Sequence, residues 1–100
     1  MSEITHPIVV YAAISEELDY QTRKHGSITD NPHTVGEWLL IVEAELAEAK
    51  HAWLKAGDAD ALRELLQVAS VAVACMTQHG VVPRQALRLG RGDERQEAKP

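Results

Sequence analysis

The chain contains no phenylalanine, and aromatic residues make up only 4% of it. A hydrophobic core must therefore be built from Leu, Ile, Val and many Ala, and each Ala contributes little apolar area. One hundred residues is the size of a single domain. A domain this small buries only about 60–70% of the surface that its unfolded chain exposes. We therefore expect self-association to supply the missing burial.

Cysteine and long apolar runs are also scarce. The single cysteine, Cys75, cannot form a disulfide within the chain, and its apolar neighbours are typical of a small buried hydrophobe. No apolar run approaches the ~18 residues that a membrane-spanning helix needs, and no signal-peptide pattern opens the chain. These features predict a cytoplasmic protein with no membrane partner.

The net charge of -5 means that a basic face is lacking. Nucleic-acid polymers and anionic membranes both require such a face, so neither is expected as a partner. The acidic residues instead cluster on one predicted helix. That clustering favours cation binding, with a solvated acidic face as the alternative.

Hydrophobic residues recur at helical spacing in three segments. The first runs from about Pro7 to His25, since proline suits a first helical turn and Gly26 ends the pattern. The second begins after Thr34, which has Glu37 at capping-box spacing, and runs to about Ala56. These two segments carry apolar stripes: Ile8, Tyr11, Ile14 and Leu18 in the first, and Leu39, Val42, Leu46, Ala49 and Trp53 in the second.

The third helix follows a tight turn at Gly57-Asp58, with Asp58 or Asp60 as its expected cap, and ends near His79. Because the turn is short, the second and third helices must be antiparallel neighbours. The residues expected to face inward on the third helix are Leu62, Leu65, Leu66, Ala69, Val73 and Met76. A short fourth helix, Pro83–Leu89, and a polar flexible tail, residues 90–100, complete the prediction. The fold class is an all-α antiparallel helical bundle, with a single domain over residues 1–89, completed by homo-oligomerisation.

Four side chains of the predicted hairpin are the candidate metal ligands. Glu45 and Glu48 lie one turn apart on the second helix, as do Glu64 and Gln67 on the third. Both cross-helix pairs, Glu48 with Glu64 and Glu45 with Gln67, are symmetric about position 56, beside the turn. They should therefore form two layers at matching depths. Three carboxylates so close would repel one another unless a hard cation, Mg²⁺ or Mn²⁺, neutralised them.

These residues resemble a family. Glu-x-x-Glu followed one hairpin later by Glu-x-x-Asp is the signature of the all-α nucleoside triphosphate pyrophosphohydrolases, the MazG-like superfamily, and here it reads Glu45-x-x-Glu48 and Glu64-x-x-Gln67. The surrounding strings, residues 38–48 and 62–74, are similar to family sequence, and the segment 17–26 looks like the first helix of a subgroup. The resemblance covers roughly residues 8–80.

The resemblance implies a function and a set of site residues. Glu45, Glu48 and Glu64 would be catalytic metal ligands for Mg²⁺ or Mn²⁺, with Gln67 as an auxiliary ligand. The substrate would be a nucleoside triphosphate, cleaved to the monophosphate and pyrophosphate by a homodimer or homotetramer. Substrate-binding roles are expected for Gln21, Lys24 and Trp38, although core or interface packing is the more usual role of such a tryptophan.

The sequence departs from the family pattern at two positions, and it allows two other functions. Gln67 replaces the usual Asp and brings no charge, and Ala44 stands where many relatives have another Glu. A catalytically weak or inactive relative that binds a nucleotide or a protein is therefore the second hypothesis. The third is a ferritin-like di-iron carboxylate protein, because Glu48-x-x-His51 is also a di-iron ligand spacing.

Overall fold

The computed structural model describes residues 3–85, and within that range the protein is built from three α-helices without a strand. They are α1 (Pro7–His25), α2 (Val35–Ala56) and α3 (Asp58–His79). The all-α prediction is confirmed, and none of these helices is both long and apolar enough to cross a membrane. The predicted fourth helix, Pro83–Leu89, extends past the described residues, and the predicted tail, 90–100, lies wholly outside them.

The first two helices begin as the sequence predicts. Pro7 opens α1, and the His6 ring nitrogen Nδ1 accepts the backbone N–H of Ile8 at 3.1 Å. At the start of α2 the hydroxyl of Thr34 accepts the N–H of Glu37 at 3.0 Å, while the Glu37 carboxylate accepts the N–H of Thr34 at 2.8 Å. This reciprocal capping box satisfies two backbone donors that the helix geometry leaves unpaired.

A single residue, Gly57, joins α2 to α3. Its φ of +96° lies in the region that only glycine adopts without strain. The predicted aspartate cap of α3 is wrong, because Gly57 occupies the N-cap position and no side chain bonds there. Asp58 instead accepts the indole N–H of Trp53 at 2.9 Å, and Asp60 pairs with Arg63 at 2.8 Å. Both carboxylates have better partners than the helix end.

The antiparallel hairpin of α2 and α3 is the centre of the fold, and α1 packs against α3 only among the described helices. The buried core consists of Trp38, Val71 and Ala74. Leu18 from α1 and Ile28 from the following loop pack against it, as do Ile41, Val42 and the half-buried Cys75. The core therefore sits at one end of the hairpin, where all three helices and the loop 26–34 meet.

Small residues occupy the closest helix contacts, and the larger apolar side chains are left outside. Ala49, Ser70, Val71 and Ala74 are buried, whereas 44–65% of the Leu46, Trp53, Leu39, Leu62 and Met76 side chains is exposed. The expectation that Leu62, Leu65 and Met76 face inward on α3 is wrong for the single chain. On α2, Leu39, Leu46 and Trp53 of the apolar stripe are exposed in the same way. Small side chains let the helix axes approach, which displaces the wider stripes to the surface. Ile8 and Tyr11, on the predicted stripe of α1, are exposed as well.

Candidate metal centre and its two cavities

Three carboxylates meet at the middle of the hairpin. Glu45 and Glu48 extend from successive turns of α2, and Glu64 extends from α3 at the same depth. One oxygen from each lies within 4.8 Å of an oxygen of the other two. The structure therefore brings together the three glutamates that the sequence placed at matching depths on the two helices. Oxygen atoms at this spacing can share one cation, although exposed acidic groups are also common without one.

The carboxyl of Glu45 lies in an environment that disfavours its charged form. Burial raises the pKa of its carboxyl, and the nearby charges of Glu48, Glu64 and Glu17 raise that pKa further. Its Oε1 atom is buried and has no hydrogen-bond partner. A buried carboxylate oxygen without a donor is costly unless a cation approaches it. The donor set, three hard oxygen ligands with one unpaired, therefore fits Mg²⁺ or Mn²⁺.

A fourth acid, Glu17 of α1, was not identified from the sequence. It is half-buried, it accepts a hydrogen bond from the Gln21 side chain at 3.1 Å, and its charge acts on Glu45. The spacing of four between Glu17 and Gln21 could have indicated their hydrogen bond. The proximity of Glu17 to Glu45 could not be predicted from the sequence, because this proximity depends on how α1 docks against α3.

A cleft of about 540 Å³ opens beside Glu45. This volume is in the range of small-molecule sites. Its apolar wall consists of Leu18, Ile28, Ile41, Val71 and Ala74. Gln67 lines the cleft together with Glu45, so the predicted Glu45–Gln67 layer faces this cavity.

The three predicted substrate-binding residues, Gln21, Lys24 and Trp38, all line the same cleft. The ammonium of Lys24 lies 5.7 Å from the centre of the Tyr20 ring, a cation–π distance. Trp38 is only 8% exposed and belongs to the core, which confirms the packing alternative for most of its surface. Base stacking on its remaining face stays a prediction.

A second cavity, a groove of about 720 Å³, adjoins the same carboxylates nearer the turn. It has no large apolar wall: Ala47, Ala52 and Ala56 line it together with Glu48, His51, Lys55, Asp60 and Glu64. His51 is exposed, and it does not join the carboxylate cluster within residues 3–85. The carboxylates thus border both cavities, the cleft through Glu45 and the groove through Glu48 and Glu64.

Comparison with known proteins gives no match: no family model, no curated protein and no solved structure is similar to this chain.

Proposed function

We propose that the protein is a Mg²⁺-dependent nucleoside triphosphate pyrophosphohydrolase, which hydrolyses (d)NTP to (d)NMP and pyrophosphate. The observation that carries the proposal is the cluster of Glu45, Glu48 and Glu64, with oxygens within 4.8 Å of one another and Glu45 Oε1 lacking a partner. The proposal also rests on the resemblance of the two acidic motifs to the MazG-like superfamily.

The three glutamates would hold the cation, with the side-chain carbonyl of Gln67 as an auxiliary ligand. When bound, Mg²⁺ neutralises phosphate oxygens and lowers the pKa of a coordinated water. Without that cation Glu45 and the three acids around it, Glu17, Glu48 and Glu64, would repel a polyphosphate. Cation and substrate should therefore bind together.

The two cavities give the substrate an orientation. The cleft, with its apolar wall and the polar groups of Gln21 and Lys24, suits the base and sugar. The groove suits the terminal phosphates, since Lys55 and His51 line it. Lys55 makes no ion pair with any residue between positions 3 and 85, so its ammonium is available to an anion. In this orientation the bond between the α- and β-phosphates lies over the carboxylates.

Pyrophosphate release from a panel of (d)NTPs, with Mg²⁺ or Mn²⁺, tests the proposal directly. Glu48→Gln should lower turnover by at least about 100-fold, because it removes one ligand charge at nearly constant shape. Glu43→Gln is the matched control: Glu43 is exposed on the same helix and lies outside the cluster, so its turnover should match the wild type. Absence of pyrophosphate release from every triphosphate would contradict the proposal.

A second candidate function is a nucleotide- or protein-binding module without turnover. The neutral side chain of Gln67 beside Glu45 favours it, because one charge fewer weakens binding of a second cation. Binding of (d)NTP with no pyrophosphate release would identify it. The di-iron hypothesis has less support, since His51 is exposed and outside the cluster. Iron loading with oxidase activity would favour it.

We also propose that the protein is a homodimer or homotetramer. Leu39, Leu46 and Trp53 recur every seven residues along α2 and are all exposed, which suits packing against another helix. Light scattering should give a mass of two or four chains, and Leu46→Asp should reduce it. A monomeric wild type at micromolar concentration would contradict the assignment. A nucleotide substrate agrees with the cytoplasmic location expected from the lone cysteine.

A further inference from the structure

One glutamine at the end of α3 joins three chain segments. The Gln78 side-chain oxygen accepts both the indole N–H of Trp38, at 2.9 Å, and the backbone N–H of His33, at 3.2 Å. Its side-chain nitrogen donates to the carbonyl of His33 at 2.7 Å. Residues 40 and 45 positions apart in the sequence are therefore held by one amide group.

The loop 26–34 is fixed at both of its ends. At the start of the loop, the carbonyl of His25, the last residue of α1, accepts a hydrogen bond from the Asn31 side-chain amide at 2.9 Å. Near its end, the His33 carbonyl contacts the His79 ring nitrogen at 2.8 Å in addition to Gln78. The His33 ring also meets the Trp38 ring edge-on, with centroids 4.8 Å apart. The loop thus links α1 to the end of α3.

These links hold one wall of the cleft. His33 and Trp38 both line it, together with Gly26, Ser27, Ile28 and Asn31 of the loop. Among the described helices the backbone of α1 lies close to α3 and not to α2, so the loop and its attachment contribute to the distance between α1 and α2 across the cleft. The Gln78 amide is the group that ties the loop and α2 to α3 at once.

We propose that Gln78 is a positioning residue that sets the shape of the cleft, and thereby its affinity for the nucleotide, without touching the reacting phosphates. This inference rests on the proposed function. Gln78 lines neither the cleft nor the groove, and it lies at the opposite end of α3 from Glu64. Its loss should therefore weaken substrate binding much more than it slows the bond-breaking step.

The test compares Gln78→Leu with Gln85→Leu, which makes the same chemical change at an exposed position beyond α3. Gln78→Leu leaves the Trp38 indole N–H and the His33 backbone N–H without their partner, and the His33 carbonyl keeps only its contact with His79. KM for the best (d)NTP should therefore rise about tenfold. Turnover at saturation should stay within about threefold of the wild type. Gln85→Leu should change neither quantity.

A local probe separates positioning from general destabilisation. Hydrogen exchange of the Trp38 indole N–H should accelerate about tenfold or more in Gln78→Leu, while the backbone amides of Val71 and Ala74 keep their wild-type rates. Gln78→Glu retains an acceptor for Trp38 but loses the donor to His33, so it should give a KM between those of the wild type and Gln78→Leu. This variant also serves if Gln78→Leu does not fold.

The results of these experiments separate the positioning role of Gln78 from the proposed pyrophosphohydrolase activity on which it rests. Wild-type turnover with an unchanged KM in Gln78→Leu and Gln78→Glu overturns the inference alone, as does equal acceleration of exchange at all core amides. A wild type that neither hydrolyses nor binds any (d)NTP overturns the proposed function and this inference with it.

Discussion

The Gln78 and Glu45 side chains show two opposite uses of a partly buried polar group. All the hydrogen bonds at Gln78 join segments distant in sequence, and both its nitrogen and its oxygen have partners. Glu45 has a buried oxygen with no partner, and neighbouring acids raise its pKa. The first arrangement stabilises the fold, and the second costs stability. An unsatisfied acceptor beside two further carboxylates is the arrangement that our proposal of a cation site would explain.

The sharpest test of this contrast exchanges acid and amide at both positions. Glu45→Gln should lower turnover by at least about 100-fold, because the proposed metal ligand loses its charge. The same change should raise the melting temperature of the metal-free protein by roughly 2–5 °C, because it relieves repulsion around a buried oxygen. Steady-state kinetics and thermal unfolding in a chelator measure the two effects.

Gln78→Glu is the matching exchange at the other site, and its effect on stability should have the opposite sign. It replaces a donor to the His33 carbonyl with an acceptor, so the melting temperature should fall. A fall in melting temperature for both variants would contradict the distinction drawn between the two groups.

A second prediction asks which cavity receives the terminal phosphates. Lys55→Gln should raise KM for triphosphates about five- to tenfold, since it removes a cation from the groove. Lys50→Gln makes the same charge change on an exposed residue of α2 that lines neither cavity. Steady-state kinetics at fixed ionic strength compares them. Equal KM values for the two variants would contradict the assignment of the terminal phosphates to the groove.

The smallest expected effect concerns pH. The raised pKa of Glu45 means that the folded protein holds this proton more tightly than the unfolded chain does. Stability without metal should therefore fall as the pH rises from the ordinary glutamate range towards neutrality. Urea unfolding of the wild type against Glu45→Gln, from pH 4 to pH 7, measures the difference. A difference that grows on acidification would contradict the assigned cause.

Local rules were sufficient for the hairpin. The bounds of α1, α2 and α3 follow from Pro7, the Thr34–Glu37 capping box and the glycines at 26, 57 and 80. The matching depths of Glu48 and Glu64 then follow from the single-residue turn, since residues at equal distances from the turn lie side by side in antiparallel helices. The resemblance to a pyrophosphohydrolase family stays a prediction, as do the roles given to the site residues.

Non-local features could not be predicted in the same way. Glu17 joins the acidic site only because α1 docks on α3, and no periodicity encodes that docking. The exposure of the stripe Leu39, Leu46 and Trp53 could not be predicted, because apolar spacing cannot distinguish an intramolecular face from an intermolecular one. The three hydrogen bonds of Gln78 join positions 40 and 45 apart, beyond any local pattern.

Because a single residue, Gly57, links α2 to α3, the position of Glu64 relative to Glu45 and Glu48 depends on the number of residues between them. Inserting one residue into α3 between Gly57 and Glu64 would turn Glu64 by about 100° around the helix axis and carry it away from Glu45 and Glu48. A side chain at φ +96° would add backbone strain to that displacement. Evolutionary change in length should therefore be tolerated in the loop between α1 and α2 more readily than at this turn.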